Sequence, residues 1–164
     1  MGFDIKNLGP VFNGRYKQGY FVPKFPEKYV GVSRIIYRSS WEHDFCKWLD
    51  LNTHVIRWSS EGLSVDYVSQ LDGRHHKYYP DFWFEYSPDG GATRQKFVVE
   101  VKPKSKLVPP ERPKVLTEKT ALRYKRDAET YVKNMEKAEA CKKFCEANGI
   151  RYLFLTEESG LPKL

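Results

Sequence analysis

Cysteine is scarce in this chain, with three residues in 164, at positions 46, 141 and 145. That count excludes a disulfide scaffold. Cys141 and Cys145 stand four apart in a helical stretch and Cys46 lies among aromatics, so a reducing, cytosolic setting is the economical inference. Long apolar runs are missing too, and neither a signal peptide nor a membrane span is expected. Histidine is almost as rare. The pair His75-His76, beside Asp72-Gly73-Arg74, suggests a metal-binding cluster, but adjacent residues of a strand point to opposite faces. No Cys/His spacing fits zinc either. Internal repeats are lacking, which excludes solenoid and propeller architectures.

What remains is a folded, basic chain. Hydrophobic residues make up 40% and aromatics 15%, enough for one domain with a core of its own. The formal charge of +7 favours a polyanionic partner. It is unevenly placed. Between Lys102 and Arg126 nine Lys and Arg face only Glu111 and Glu118, so this segment alone carries the excess of the whole chain. Such a stretch is either a solvated basic loop or a track for a phosphate backbone.

Residues 1–33 read as an extended N-terminal arm, because Gly9-Pro10, Asn13-Gly14, Gly19, Pro23, Pro26 and Gly31 break every candidate period. The arm interleaves charge and aromatics (Arg15, Tyr16, Lys17, Tyr20, Phe21, Lys24, Phe25), a pattern that suits nucleic acid, a protein partner or its own domain. Residues 34–164 form the second unit. Within it Trp41, Phe45, Trp48 and Leu49 predict a helix over 40–51. Strands are predicted at 54–58, 63–69, 77–86 and 96–102, with turns at Asp72-Gly73 and Asp89-Gly90-Gly91. Pro103, Pro109, Pro110 and Pro113 keep the basic loop irregular. A long helix over 120–148 then presents Ala128, Tyr131, Val132, Met135 and Ala138 on one side, ends at Asn148-Gly149, and precedes a strand at 151–156. The order predicts an α/β single domain, a mixed central sheet flanked by helices.

The chemistry concentrates in two runs, Tyr79-Pro80-Asp81-Phe82 and Val98-Val99-Glu100-Val101-Lys102-Pro103. Period two puts Glu100 and Lys102 on one face of their strand and Val99 and Val101 on the other. Charges in so apolar a strand are costly to bury unless they bind something. A salt bridge on a solvent-facing strand is the plain alternative for Glu100 and Lys102, and an exposed strand aspartate for Asp81. Converging carboxylates instead hold a divalent cation, and a nearby ammonium orients water. On that reading Asp81 and Glu100 ligate Mg²⁺ (with Mn²⁺ a substitute), the Val101 carbonyl adds an oxygen, and Lys102 orients the attacking water. Ser39-x-x-Glu42 fits a helix capping box, which alone would explain both residues. Arg38, Lys104, Lys106, Lys114, Lys133 and Lys137 are candidate DNA contacts, with solvated surface the alternative for the last two, which lie within one helix turn of Asn134.

These residues resemble the PD-(D/E)xK nuclease superfamily, with Glu42 on the first helix, then Pro80-Asp81, then Glu100-Val101-Lys102. Longer blocks are similar to the head completion nucleases of T4-type phages: Ile36-Tyr37-Arg38-Ser39-Ser40-Trp41-Glu42, Trp58-Ser59-Ser60-Glu61, the stretch from Asp72-Gly73-Arg74-His75 to Tyr79-Pro80-Asp81-Phe82, and Glu100-Val101-Lys102-Pro103-Lys104. The resemblance implies a restriction-endonuclease-like core and a catalytic role for Glu42 beside Asp81, Glu100 and Lys102. It also implies a metal-dependent endonuclease acting on double-stranded DNA in head completion, after packaging and before neck and tail joining. Portal or neck proteins would be its partners, in the virion or the cytoplasm of the infected host. Transposase-type DNA end-cleaving endonucleases share the residue pattern and are the alternative enzyme. A non-catalytic, DNA-end-binding neck protein on the same fold is the alternative without chemistry.

Overall fold

The computed structural model describes residues 11–13 and 16–161. Its centre is a four-stranded mixed sheet in the order β4-β7-β8-β9, formed by β4 (Val55–Ser60), β7 (Phe82–Tyr86), β8 (Gln95–Val101) and β9 (Arg151–Leu155). The first three strands run antiparallel, and β9 lies parallel to β8. A parallel neighbour needs a crossover, and the helix α2 (Glu118–Ala147) supplies it. The helix α1 (Ser40–Leu51) covers the other face. The chain is therefore the α/β domain that the residue pattern predicts.

Alternation along β8 divides the core between the two helices. Phe97 and Val99 join Phe45, Cys46 and Leu49 of α1 and Phe82 and Phe84 of β7 on one side. Val98 joins Cys141 and Cys145 of α2 on the other. Phe45, Phe84 and Val99 are fully buried, and burying a side chain of this size contributes roughly 2–3 kcal/mol. Glu100 and Lys102 continue the Val98 face, opposite Val99 and Val101.

Two smaller sheets flank this body. Strands β5 (Val65–Val68) and β6 (His75–Tyr78) form a hairpin whose turn uses Gly73 at φ 68°, a backbone setting that favours glycine. The other sheet joins β1 (Val11–Asn13), β2 (Tyr16–Phe21) and β3 (Ile35–Tyr37). Residues of the expected arm therefore pair with the domain. The buried Asp50 carboxylate accepts the Lys24 and Phe25 N–H groups at 2.7 and 3.1 Å. Lys28 donates to the carbonyls of Leu49, Asp50 and Asn52, closing the C-terminus of α1. Of the residues named for the arm, Gly9, Pro10, Gly14 and Arg15 lie outside the described residues.

Three expectations need correction. The predicted strand 77–86 is two strands in different sheets, because the chain turns at Tyr79-Pro80-Asp81 and Pro80 has no N–H to continue a ladder. Trp41 is exposed rather than part of the core stripe, and Cys46 and Asp50 are buried in addition to Phe45 and Leu49. On α2 the buried residues are Cys141 and Cys145, while the predicted apolar side from Ala128 to Ala138 is only half-buried.

Candidate active site

Ser39 is the N-cap of α1, in extended backbone, and its hydroxyl oxygen accepts the Glu42 N–H at 3.1 Å. Glu42 folds back over the helix start. Its Oε1 accepts the Ser39 hydroxyl at 2.9 Å and its Oε2 accepts the Arg38 N–H at 2.7 Å. A standard capping box would bring the carboxylate to the N–H of Ser39 itself. Here it reaches one residue further back. Burial raises the Glu42 pKa, against the Arg38 N–H, the Ser39 hydroxyl and the Arg38 charge.

Asp81 stands at the bend that opens β7. The ladder pairs Phe82 with Val99, so one step further Asp81 faces Glu100. Asp81 Oδ2 accepts the Val101 N–H at 2.7 Å, and its carbonyl accepts the Glu61 N–H at 3.0 Å. Burial and then the Glu100 charge hold the Asp81 carboxyl well above its usual range; Val101 opposes this, and the Glu42 charge adds to it. Glu100 is 6% exposed. Its Oε2 accepts the Tyr78 hydroxyl and its Oε1 accepts the Lys102 ammonium at 2.7 Å. Asn134 of α2 takes a second Lys102 hydrogen bond at 3.2 Å. Burial pushes the Tyr78 hydroxyl far above its ordinary pKa, the Glu100 charge adding to it, and Tyr152 is a further hydrogen-bond partner of Tyr78.

The structure thus gathers Glu42, Asp81, Glu100 and Lys102 at one end of the sheet, where α1, β7, β8 and α2 meet. Among the described residues no group of three or more His, Cys, Asp or Glu is arranged to hold a metal. Burial and then the Glu100 charge favour a proton on Asp81, and the two carboxylates are hard-oxygen donors. That set fits a Mg²⁺-like cation, which retains several waters and needs few protein ligands. The residues present fit such an ion.

The cationic candidates fall into different settings. Arg38 forms a two-pronged contact with Glu61, at 2.6 and 3.5 Å. Lys104 is occupied by both oxygens of Glu158. Lys106 and Lys114 are exposed in the loop before α2, and Lys133 is exposed on α2. Lys137 is half-buried, its ammonium 5.5 Å from the Tyr78 ring centre. Sequence reasoning passes over Tyr78, assigns no role to Glu61, and reaches Asn134 only as a surface neighbour of Lys133 and Lys137.

The profile of the family described as "TnsA-like endonuclease N terminal" matches residues 52–157. The chain is 36% identical over 141 residues to the head completion nuclease of Enterobacteria phage T4, covering 85% of this chain and 91% of that protein. No solved structure matches significantly. The matched region runs from β4 to just past β9 and contains Asp81, Glu100 and Lys102, so the mixed sheet and its flanking α2 are a restriction-endonuclease-like core. The chain belongs to the TnsA-like endonuclease N-terminal family.

Proposed function

We propose that this protein is a divalent-metal-dependent endonuclease that hydrolyses phosphodiester bonds of double-stranded DNA during phage head completion. The observation that carries the chemistry is the convergence of Asp81 and Glu100 with Lys102 hydrogen-bonded to Glu100. Asp81, Glu100 and the Val101 carbonyl would hold Mg²⁺ or Mn²⁺. When bound, such an ion polarises the phosphoryl oxygen and lowers the pKa of its water.

The chain's own residues do the rest. Tyr78 and Lys102 fix both oxygens of Glu100, so that carboxylate is oriented before substrate arrives. The Val101 N–H orients Asp81 in the same way. Lys102, tied to Glu100 and Asn134, places a positive charge where charge develops on the phosphate and where water must be aligned. Glu42 stands near enough to Asp81 to influence its charge, and its role is to order water at the site rather than to bind the ion. Arg38, Lys106, Lys114, Lys133 and Lys137 contact DNA phosphates. Lys104 does so only by leaving Glu158.

The assembly role rests on the relative named for head completion, which is matched along most of its length. This favours a phage setting over a transposon one. Portal or neck proteins would be the partners, in the virion or the infected cell. No described helix is long and apolar enough to cross a membrane. The test is twofold: nicking of supercoiled plasmid by wild type and Lys102→Ala, and complementation of a phage lacking the gene. Metal-dependent cutting that Lys102→Ala loses, together with failure to complete infectious heads, is the expected result. No cutting by wild type would sink the nuclease reading, and full complementation by Lys102→Ala would separate cleavage from assembly.

A further inference from the structure

Glu61 is the one non-glycine residue with positive φ among the described residues, at 51°. A side chain is strained there, whereas glycine adopts this region freely. Gly62 follows immediately, so a glycine one position earlier would have removed the strain. What a glutamate adds at this position is its carboxylate. Two contacts define its place. The Glu61 N–H bonds the carbonyl of Asp81 at 3.0 Å, and its carboxylate grips Arg38 at 2.6 and 3.5 Å. The Arg38 N–H in turn bonds Glu42. Arg38 and Glu61 therefore bridge the two segments that carry Glu42 and Asp81.

Both side chains of the pair face solvent, at 50% and 39% exposure. The Glu61 hydrogen bond is the largest influence raising the Arg38 pKa, followed after desolvation by the charges of Glu61, Glu42 and Asp81. A guanidinium donates to a carboxylate and to a phosphate with the same fork geometry. An exposed ion pair is weakly held, so exchange between them is easy.

We infer that Glu61 is a substrate mimic: it occupies on Arg38 the position that a DNA phosphate takes, and is displaced when the duplex enters the site. The inference rests on the DNA reading of the site. In the free protein Glu61 holds the Arg38 guanidinium in a two-pronged contact. The cost is competition with substrate for the same guanidinium.

The experiment is an anisotropy titration of a labelled blunt DNA duplex in EDTA, where no cleavage occurs. It uses the full chain as wild type, Glu61→Gln, Arg38→Ala and the double variant, with Glu61→Gly as a second test that suits the backbone. Glu61→Gln and Glu61→Gly are expected to bind roughly two- to fivefold tighter, the size of a broken surface ion pair. That gain should vanish when Arg38 is alanine. Unchanged or weaker binding by both variants overturns the inference, as does an equal gain in the Arg38→Ala background, which would be a general charge effect. Absence of DNA binding by wild type would instead remove the DNA reading itself.

Discussion

At the scale of single residues, the site trades stability for chemistry. Asp81 is buried against Glu100, so its folded-state pKa lies above its unfolded one. Protonation is then favoured in the native state. Without metal, the fold is most stable below the unfolded pKa and loses that part of its stability as pH rises through the folded pKa. Asp81→Asn cannot ionise and still offers an oxygen to the Val101 N–H. It should melt above wild type at neutral pH in EDTA, with the difference closing as pH falls. Parallel melting curves across pH would mean that Asp81 is not under this stress. Tyr78→Phe removes the hydroxyl from a buried carboxylate and should cost about 1–3 kcal/mol, since a buried acceptor loses its partner. Denaturant unfolding measures it. A loss below about 0.5 kcal/mol would show that water replaces the hydroxyl.

The residue scale is also where sequence reading works unevenly. Glu100 and Lys102 are legible because period two alone puts them on one face, and Asp81 because Pro80 marks an interruption beside it. Tyr78 is hidden inside an aromatic-rich run, Tyr78-Tyr79-Pro80-Asp81-Phe82-Trp83-Phe84, that conceals the change of sheet. Asn134 meets Lys102 only because α2 crosses back over the sheet, 32 residues later in the chain. No local pattern encodes that meeting. Glu61 belongs to a block that carries the family resemblance, but its conformation is not legible, since its backbone sign is set by the loop between β4 and β5.

Among the elements, α1 carries a double assignment. Its first turn needs Ser39 and Glu42 to cap it, and its placement needs Lys28 and Asp50 at the far end. Ser39→Ala should cost about 1 kcal/mol of stability, the usual worth of an N-cap. Glu42→Gln separates the structural role of that residue from the proposed one. One amide oxygen can still accept the Arg38 N–H, so stability should change by less than about 1 kcal/mol. Cleavage should fall by at least about tenfold, as when a group that orders water is removed. Unaltered cleavage with lowered stability would leave Glu42 a cap and nothing more. The helix itself is readable from apolar spacing and cap chemistry. Strands β2 and β3 are not, because Gly19, Pro23, Pro26 and Gly31 erase periodicity and the two strands find each other across a loop.

For the whole molecule, the asymmetry of charge is where the proposed DNA contacts concentrate. The segment between Lys102 and Arg126 starts at the candidate site and carries the chain's net charge. Changing Lys106 and Lys114 to glutamine should flatten the salt dependence of DNA binding by about one log–log unit for each phosphate that is no longer neutralised. Changing Lys104, already held by Glu158, should flatten it by less. Equal slopes for all variants would place the loop against solvent or protein instead. On the proposed function, cleavage depends on Asp81 and Glu100 holding the ion together. Nicking of supercoiled plasmid by wild type, Asp81→Asn and Glu100→Gln across a Mg²⁺ and Mn²⁺ titration tests this without intermediary. Wild type should cut only with metal, and each variant should be slower by roughly a hundredfold or more at every metal concentration. Cutting by wild type in chelator, or wild-type rates in either variant, would contradict a metal held by these two carboxylates.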